Sequence, residues 1–359
     1  MKRLINYPVG VISSWADGAF NWLLLEKRGL WGLSAARILV GITVLGLLVS
    51  NFSVRHVLWG PGSGWAEASR GLSEFGALLE LFGTGSTSWF TFQYLTLIGV
   101  ALAVTLGWHT RIMTVVLAFG LSSLVSRAEN LGDQGDNIAR IGLVLMIFMS
   151  TAEHWSLDAH RKKLRADSKH DSQKLPVLAL TLRLHKIPQW CRNLLHNAAF
   201  VALALQIFIL YTASAMYKTQ GDQWQDGTAI FYPLQLPEYA IFPELNPLLV
   251  EVPVLLNLAT YVAVFAQLFI VVALLHPLSR RLVLVAVIGM HIGIALFMGL
   301  PWFSLAMVAF DAIFISQRTY QAVENTVRSV TKPLRDRFKK PARPLDTASD
   351  EVRQPTTVG

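Results

Sequence analysis

Charge is scarce in this chain. Only 15% of its residues are Asp, Glu, Lys or Arg, while 53% are hydrophobic; an average soluble domain carries roughly a quarter charged residues. Cysteine is scarcer still. Cys191 stands alone, which excludes an intrachain disulfide, a CxxC pair and a thiolate cluster. No HExxH, GxSxG, P-loop or dinucleotide glycine fingerprint occurs. The nine histidines lie scattered without metal-ligand spacing, so no metal site is expected. There is no internal repeat and no low-complexity tract. The apolar runs also lack the strict alternation of a membrane barrel.

What the chain has instead is long apolar runs with no charge or one. A bilayer core takes about 20 such residues as a helix. In lipid only helices or closed barrels satisfy the backbone. The fold class expected is therefore all-α, a polytopic transmembrane helical bundle of about eight spans. The candidates are Leu33–Asn51, Trp89–Gly107, Ile112–Ser126, Ile138–Ala152, Asn197–Tyr217, Val254–Leu275, Leu282–Leu300 and Trp302–Ser316. The third, fourth and eighth are short. Around them lie an interfacial segment over residues 1–32 and a basic, disordered tail over 317–359. The opening is basic, but Trp15 and Asp17 interrupt its apolar stretch and no small-residue cleavage site follows, so a signal peptide is not expected.

Charge sets the expected orientation. With both termini cytoplasmic, Arg55, Arg70, Arg127 and Lys218 fall outside and Arg37 and Arg140 inside spans. The other 25 of the 31 Lys and Arg residues then face the cytoplasm. That is a strong positive-inside bias. It accounts for the net charge of +8 without nucleic acid, for which no basic groove with stacking aromatics is apparent. The partner expected is the bilayer, and the location a cell membrane, multi-pass, in a bacterial plasma membrane. The loop "HWSLDAHRKKLRADSKHDSQKLP" separates four spans from four and reads as a basic hinge near anionic headgroups. The outside loop 53–88 contains "GLSEFGALLELFG", which reads as a short surface or re-entrant helix.

Polar residues inside spans are expensive and tend to face the bundle interior. They are Arg37, Arg140, Gln206, Gln267, His291 and Asp311. Asp136 can cap its helix, with Arg140 one turn on, so Arg140 reads either as a local ion-pair partner or as a site residue. Arg37, near a span end, reads as snorkelling to headgroups. His291 reads as a packing residue or a functional one. Asp311 reads as a structural partner of Arg37 or Arg140, and Gln206 and Gln267 as interhelical hydrogen-bond residues.

Lys218 is the one lysine on the outer side. It ends the fifth span and precedes Trp224 and Gly227. One reading is an anchor that complements the helix C-terminus. The other is a partly sheltered general base, with Trp224 at the interface and Gly227 permitting a turn closed to a side chain.

Several stretches together, "ARILVGITVLGLL", "GWHTR", "GDNIAR" running into "HWSLD", "LYTASAMYKTQGDQWQDGTA" and "HIGIALF", resemble the horizontally transferred transmembrane (HTTM) family. That family includes the membrane part of the vitamin K-dependent gamma-carboxylase and bacterial proteins of the sporulation-delaying protein B type. The resemblance covers roughly residues 33–316 and rests above all on Tyr211, Lys218, Trp224 and Gly227, then on His154 to Asp158, with Arg37 of the first span adding little alone. For the carboxylase it implies a lysine at the Lys218 position that takes a proton from reduced vitamin K. The activated quinol reacts with oxygen, the strong base so formed deprotonates a glutamate side chain, and carbon dioxide adds to the carbanion. His291 matches the assisting histidine that donates a hydrogen bond to the developing oxyanion. The implied cofactor is thus a reduced quinone of the vitamin K type. The carboxylase carries a large extra-membrane domain after its spans; here about forty basic residues follow, closer to the compact sporulation-delaying type, which acts with partners to mature a secreted peptide toxin.

Two function classes follow. One is a carboxylase-like or quinol-dependent enzyme with Lys218 as base. The other is a non-enzymatic maturation or export partner that binds a secreted peptide or a second membrane protein through outer loops bearing Trp59, Trp65 and Trp224. A transporter fits less well, since matching Gly/Pro-broken helices in the two halves are absent.

Overall fold

A computed structural model describes residues 17–68, 81–82, 85–167 and 187–338. Among these residues every regular element is helical. In chain order the long helices are α1 (Leu30–Ser50), α2 (Thr87–Leu106), α3 (Thr110–Ser126), α4 (Gln134–Met146), α5 (Leu157–Asp167), α6 (Gln189–Thr219), α7 (Pro253–Ala273), α8 (Pro277–Phe297), α9 (Pro301–Asp311) and α10 (Gln317–Phe338). Five of them, α1, α2, α6, α7 and α8, are long and apolar enough by length and composition to cross a membrane. α3 and the 301–314 segment are apolar but shorter.

The boundaries follow local chemistry. Ser86 caps α2 by accepting from the Trp89 N–H. Gly107 closes α2 in the left-handed region at φ 70°. α7, α8 and α9 each begin on a proline, whose missing N–H costs nothing in the first turn. Asp133 and Asp136 form a capping box at the start of α4. Asp136 thus serves as the third residue of the helix, and the cap itself is Asp133. α4 stops at Met146, six residues before the expected end of the fourth span, and tight turns follow to residue 149.

Packing runs α2–α1–α9–α8–α7–α6, with α3 and α4 closing the chain of contacts between α2 and α9. α4 lies against α9 because Gly142 leaves room for the Phe310 ring; a Cβ there would sit 2.1 Å from it. The core includes Leu33, Val40, Leu48, Tyr94, Leu117, Leu143, Leu203 and Phe310.

The 31 residues of α6 span about 46 Å, well beyond a hydrocarbon core of about 30 Å. Its first turns are polar and grip the segment before α1. Asn193 donates to the Leu24 and Leu25 carbonyls, Asn197 to those of Leu23 and Glu26, and Asn197 accepts from the Arg28 N–H. His196 accepts from the Ser150 N–H at 2.9 Å and approaches the Arg28 carbonyl with its other ring nitrogen. The segment expected to lie at the interface therefore includes a short helix at 17–24 and a stretch tied to α6.

One expectation changes here. The tail expected to be disordered from 317 is helical through Phe338, with a Glu324–Arg328 pair one turn apart. A four-residue carboxylate-to-guanidinium spacing and a polar face favour that helix locally. Residues 339–359 lie outside the described residues, as do 1–16, most of the proposed re-entrant stretch and the 168–186 part of the central loop. α10 belongs to a separate compact unit that begins at residue 318.

Candidate functional site

Four helices bring polar side chains together in the interior. Tyr211 on α6, Gln267 on α7, His291 on α8 and Asp311 at the end of α9 are all buried. The Tyr211 hydroxyl donates to Asp311 Oδ2 at 2.7 Å and lies 3.2 Å from His291 Nε2. A phenol has one proton. With that proton given to the carboxylate, the imidazole must donate through Nε2, and Nδ1 is left as an acceptor. His291 Nδ1 and Asp311 Oδ1 are both buried without a hydrogen-bond partner. Phe303 packs edge-on against the imidazole at 5.7 Å.

Two helical turns beyond Tyr211, Lys218 is half-buried. Its ammonium donates to Ser214 Oγ at 3.0 Å, one turn back on α6, and to Gln267 Oε1 at 2.5 Å across to α7. It sits 5.2 Å from the Trp224 ring centroid, within cation–π range. Every partner is neutral. Gln267 then donates to Met290 Sδ at 3.5 Å, the residue next to His291. Lys218 and the Tyr211–His291–Asp311 cluster are thus linked through α7 and α8.

The loop that follows is shaped by Gly227, which is buried at φ 81°; a Cβ there would lie 2.4 Å from Asn257 Oδ1. Asp226 accepts from the Thr228 N–H and hydroxyl, and Tyr261 of α7 donates to the Gln225 carbonyl. Tyr211, Lys218, Trp224, Gly227 and His291 are therefore gathered at the α6–α7–α8 contact.

Three sequence-selected residues lie elsewhere. Arg37 does not snorkel. It is fully buried and donates to the carbonyls of Val104 and Thr105 at 2.7 Å, Trp155 at 2.8 Å and Thr151 at 3.1 Å. The carbonyls at the end of α2 carry partial negative charge and spare acceptor capacity, so they compete with headgroups for the guanidinium. Arg140 donates to Asn137 Oδ1, three residues back, in place of the expected pairing with Asp136. Asp136, already engaged in the capping box, lines a small cavity of about 20 Å3 with Thr43, Ala139, Trp302 and Phe303. Asp311, expected to pair with Arg37 or Arg140, is bound to Tyr211. Tyr211 reaches it because α6 and α9 pack together.

Ser214 and Gln267 are the partners that sequence reading did not attach to Lys218. Ser214 was legible one turn away; Gln267 needed the packing of α7 on α6. The stretches "GWHTR" and "HWSLD" also meet. Asp158 accepts from the N–H groups of His109 and Thr110 and from the Thr110 hydroxyl. The ring of His154 stacks on Trp31 at 3.7 Å.

No family model matches the chain, and no solved structure matches it. The chain is similar to an uncharacterized protein, YitO, of Bacillus subtilis (strain 168), with 24% identity over 251 residues that cover 66% of this chain and 72% of that protein.

Proposed function

We propose that this is a multi-pass protein of a bacterial plasma membrane, of the HTTM type, with eight crossings and both termini cytoplasmic, that acts on a lipid-soluble hydroxyl compound of the reduced-quinone class. The observations that carry the reading are the sheltered amine of Lys218, held by Ser214 and Gln267, and, two helical turns back on α6, a buried cluster with two unpartnered acceptors. Acceptors in a dry interior favour a ligand that brings donors, and the hydroxyls of a quinol are such donors. His291 Nδ1 and Asp311 Oδ1 would orient a hydroxyl. Lys218 is the base: its amine takes the proton, and the ammonium formed keeps Ser214 and Gln267 as acceptors and the Trp224 face as a cation site. In this hydrogen-bond arrangement His291 accepts; donation to an oxyanion would require a doubly protonated ring. The reduced quinone would supply the hydroxyl proton and, with molecular oxygen as the acceptor, two reducing electrons.

The test is Lys218→Ala and Lys218→Arg in native membranes, with insertion checked by protease protection and quinol oxidation as the readout. Both variants should lose turnover. Wild-type turnover in correctly inserted Lys218→Ala protein would refute the reading.

A second reading is supported by the surface beyond α6. Residues 219–279 contain no Lys or Arg, and Tyr217, Tyr232, Phe242 and Leu248 are exposed there. Such a surface suits a maturation or export partner for a secreted peptide or a second membrane protein. If Tyr232→Ser and Phe242→Ser abolish peptide maturation while Lys218→Ala leaves it intact, this reading replaces the first.

A further inference from the structure

At the other end of the bundle, where α3 begins, the interlocked "GWHTR" and "HWSLD" stretches form the wall of an open cleft of about 260 Å3. His109, Arg111, Ile112, Glu153, Asp158 and Lys162 line it. Its carboxylates are already engaged. Asp158 accepts from two backbone N–H groups, the Thr110 hydroxyl and Arg161 at 3.1 Å. Glu153 lies 3.7 Å from Lys162. Arg111, by contrast, forms no ion pair among the described residues, and its positive charge acts together with those of Lys162 and Arg192 on Lys27. Lys27 itself donates to Ser150 Oγ at 2.5 Å. Among the lining residues Arg111 and Lys162 balance Glu153 and Asp158, and the nearby Arg161 and Lys27 tip the surroundings towards positive charge.

A second cavity of about 60 Å3 shares Thr110, Arg111, Ala152 and Glu153 with the first and extends to Ser150 and Thr114. The Thr114 hydroxyl in its wall is 98% buried and has no hydrogen-bond partner. A spare hydroxyl beneath a cluster of cations is suited to the oxygens of a phosphate group. Leading away from the cleft, Ile112, Val116 and Phe119 form an exposed apolar stripe along α3, at the spacing of one helix face.

We propose that this cleft binds the phosphate of an anionic membrane phospholipid, held between Arg111 and Lys162 with Thr114 Oγ donating from below, its acyl chain lying along Ile112, Val116 and Phe119. The apolar stripe is what favours a lipid over free phosphate, which would have no use for it. The site is separate from the Lys218 network and does not depend on the function proposed for it.

The experiment uses the full chain in a neutral detergent with phosphatidylglycerol, phosphatidylcholine or inorganic phosphate added, and reads retained lipid by native mass spectrometry and thermal stability. Phosphatidylglycerol should be retained and should raise the melting temperature, with little effect from the other two. Arg111→Gln with Lys162→Gln should weaken phosphatidylglycerol binding about tenfold or more, as expected for loss of charged hydrogen bonds. Thr114→Val should weaken it less. Arg280→Gln with Arg281→Gln, a cationic pair away from the cleft, should leave it unchanged. Equal retention of phosphatidylcholine, or equal loss in the Arg280/Arg281 variant, overturns the proposal as diffuse attraction. Full stabilisation by inorganic phosphate alone overturns the lipid assignment. Should the double variant unfold, competition on the unaltered protein decides: short-chain phosphatidylglycerol must displace the retained lipid and short-chain phosphatidylcholine must not, and equal displacement by both overturns the site.

Discussion

Replacing Arg37 by Met should loosen the bundle far more than an interfacial arginine could. The guanidinium is fully buried and donates four hydrogen bonds, all to main-chain carbonyls. Methionine fills similar volume but donates nothing. The Val104 carbonyl would keep the Gly107 N–H, whereas Thr105, Thr151 and Trp155 would lose the guanidinium. A buried polar group deprived of its partner costs about 1–3 kcal/mol. Removal of the arginine also relieves its own desolvation, so the three losses do not add in full. A net cost of about 3–5 kcal/mol follows, in line with breaking one buried charged network. By the scaling for domains of this size, that is a fall in melting temperature on the order of 10 °C. Arg37→Lys, with a compact ammonium on the same stem, should fall about half as far, because it cannot reach all four carbonyls. The assay is thermal unfolding in detergent, followed by labelling of Cys191, the single cysteine, which is half-buried in the fold. If Arg37→Met melts within about 2 °C of wild type, a cost below about 1 kcal/mol, the clasp described here is not what holds α1 to α2. A snorkelling arginine would produce that result.

Three further outcomes test the site and its surroundings. Gly227→Ala forces a left-handed backbone on a residue with a Cβ and presses it against Asn257, a strain of about 1–2 kcal/mol before the clash is counted; hydrogen exchange over residues 221–228 should accelerate, and unchanged protection would mean that the loop does not need the glycine. Tyr211→Phe removes the donor to Asp311 Oδ2 while Oδ1 is already unpartnered, so it should destabilise by about 2 kcal/mol, and Tyr211→Phe with Asp311→Leu should recover most of that. A purely additive double-mutant cycle would show that the two residues are not coupled. Burial, and then the neighbouring Arg111, holds the Lys27 ammonium below its ordinary value of 10.5. The unfolded chain therefore binds more protons between the lowered value and 10.5, and the contribution of Lys27 to stability grows as pH rises through that window. The melting temperature of wild type relative to Lys27→Met should accordingly shift in wild type's favour as pH climbs from about 7 towards 10.5; a difference flat across that range contradicts the assigned cause.

The helices could be read from the chain because their signals are local. Apolar runs, prolines at Pro253, Pro277 and Pro301, Ser86, Gly107 and the Asp133–Asp136 spacing all act within a turn or two of the boundaries they mark. The reading failed where a residue's partner was remote. Arg37 sits near a span end, where snorkelling is the ordinary outcome, and nothing nearby in sequence announces carbonyls at 104, 105, 151 and 155. Asp311 was assigned to an arginine because opposite charges attract, yet a tyrosine one hundred positions away holds it.

By itself, then, the chain determined that it would fold into apolar helices, roughly which stretches they would occupy, and several of the polar side chains they would have to bury. Tertiary structure alone decided the pairings: Lys218 with Gln267, Tyr211 with Asp311, Asp158 with the start of α3. The reason is range. Helix formation depends on neighbours a few residues apart, whereas a buried polar group takes whichever partner the packing of distant helices brings within about 3 Å.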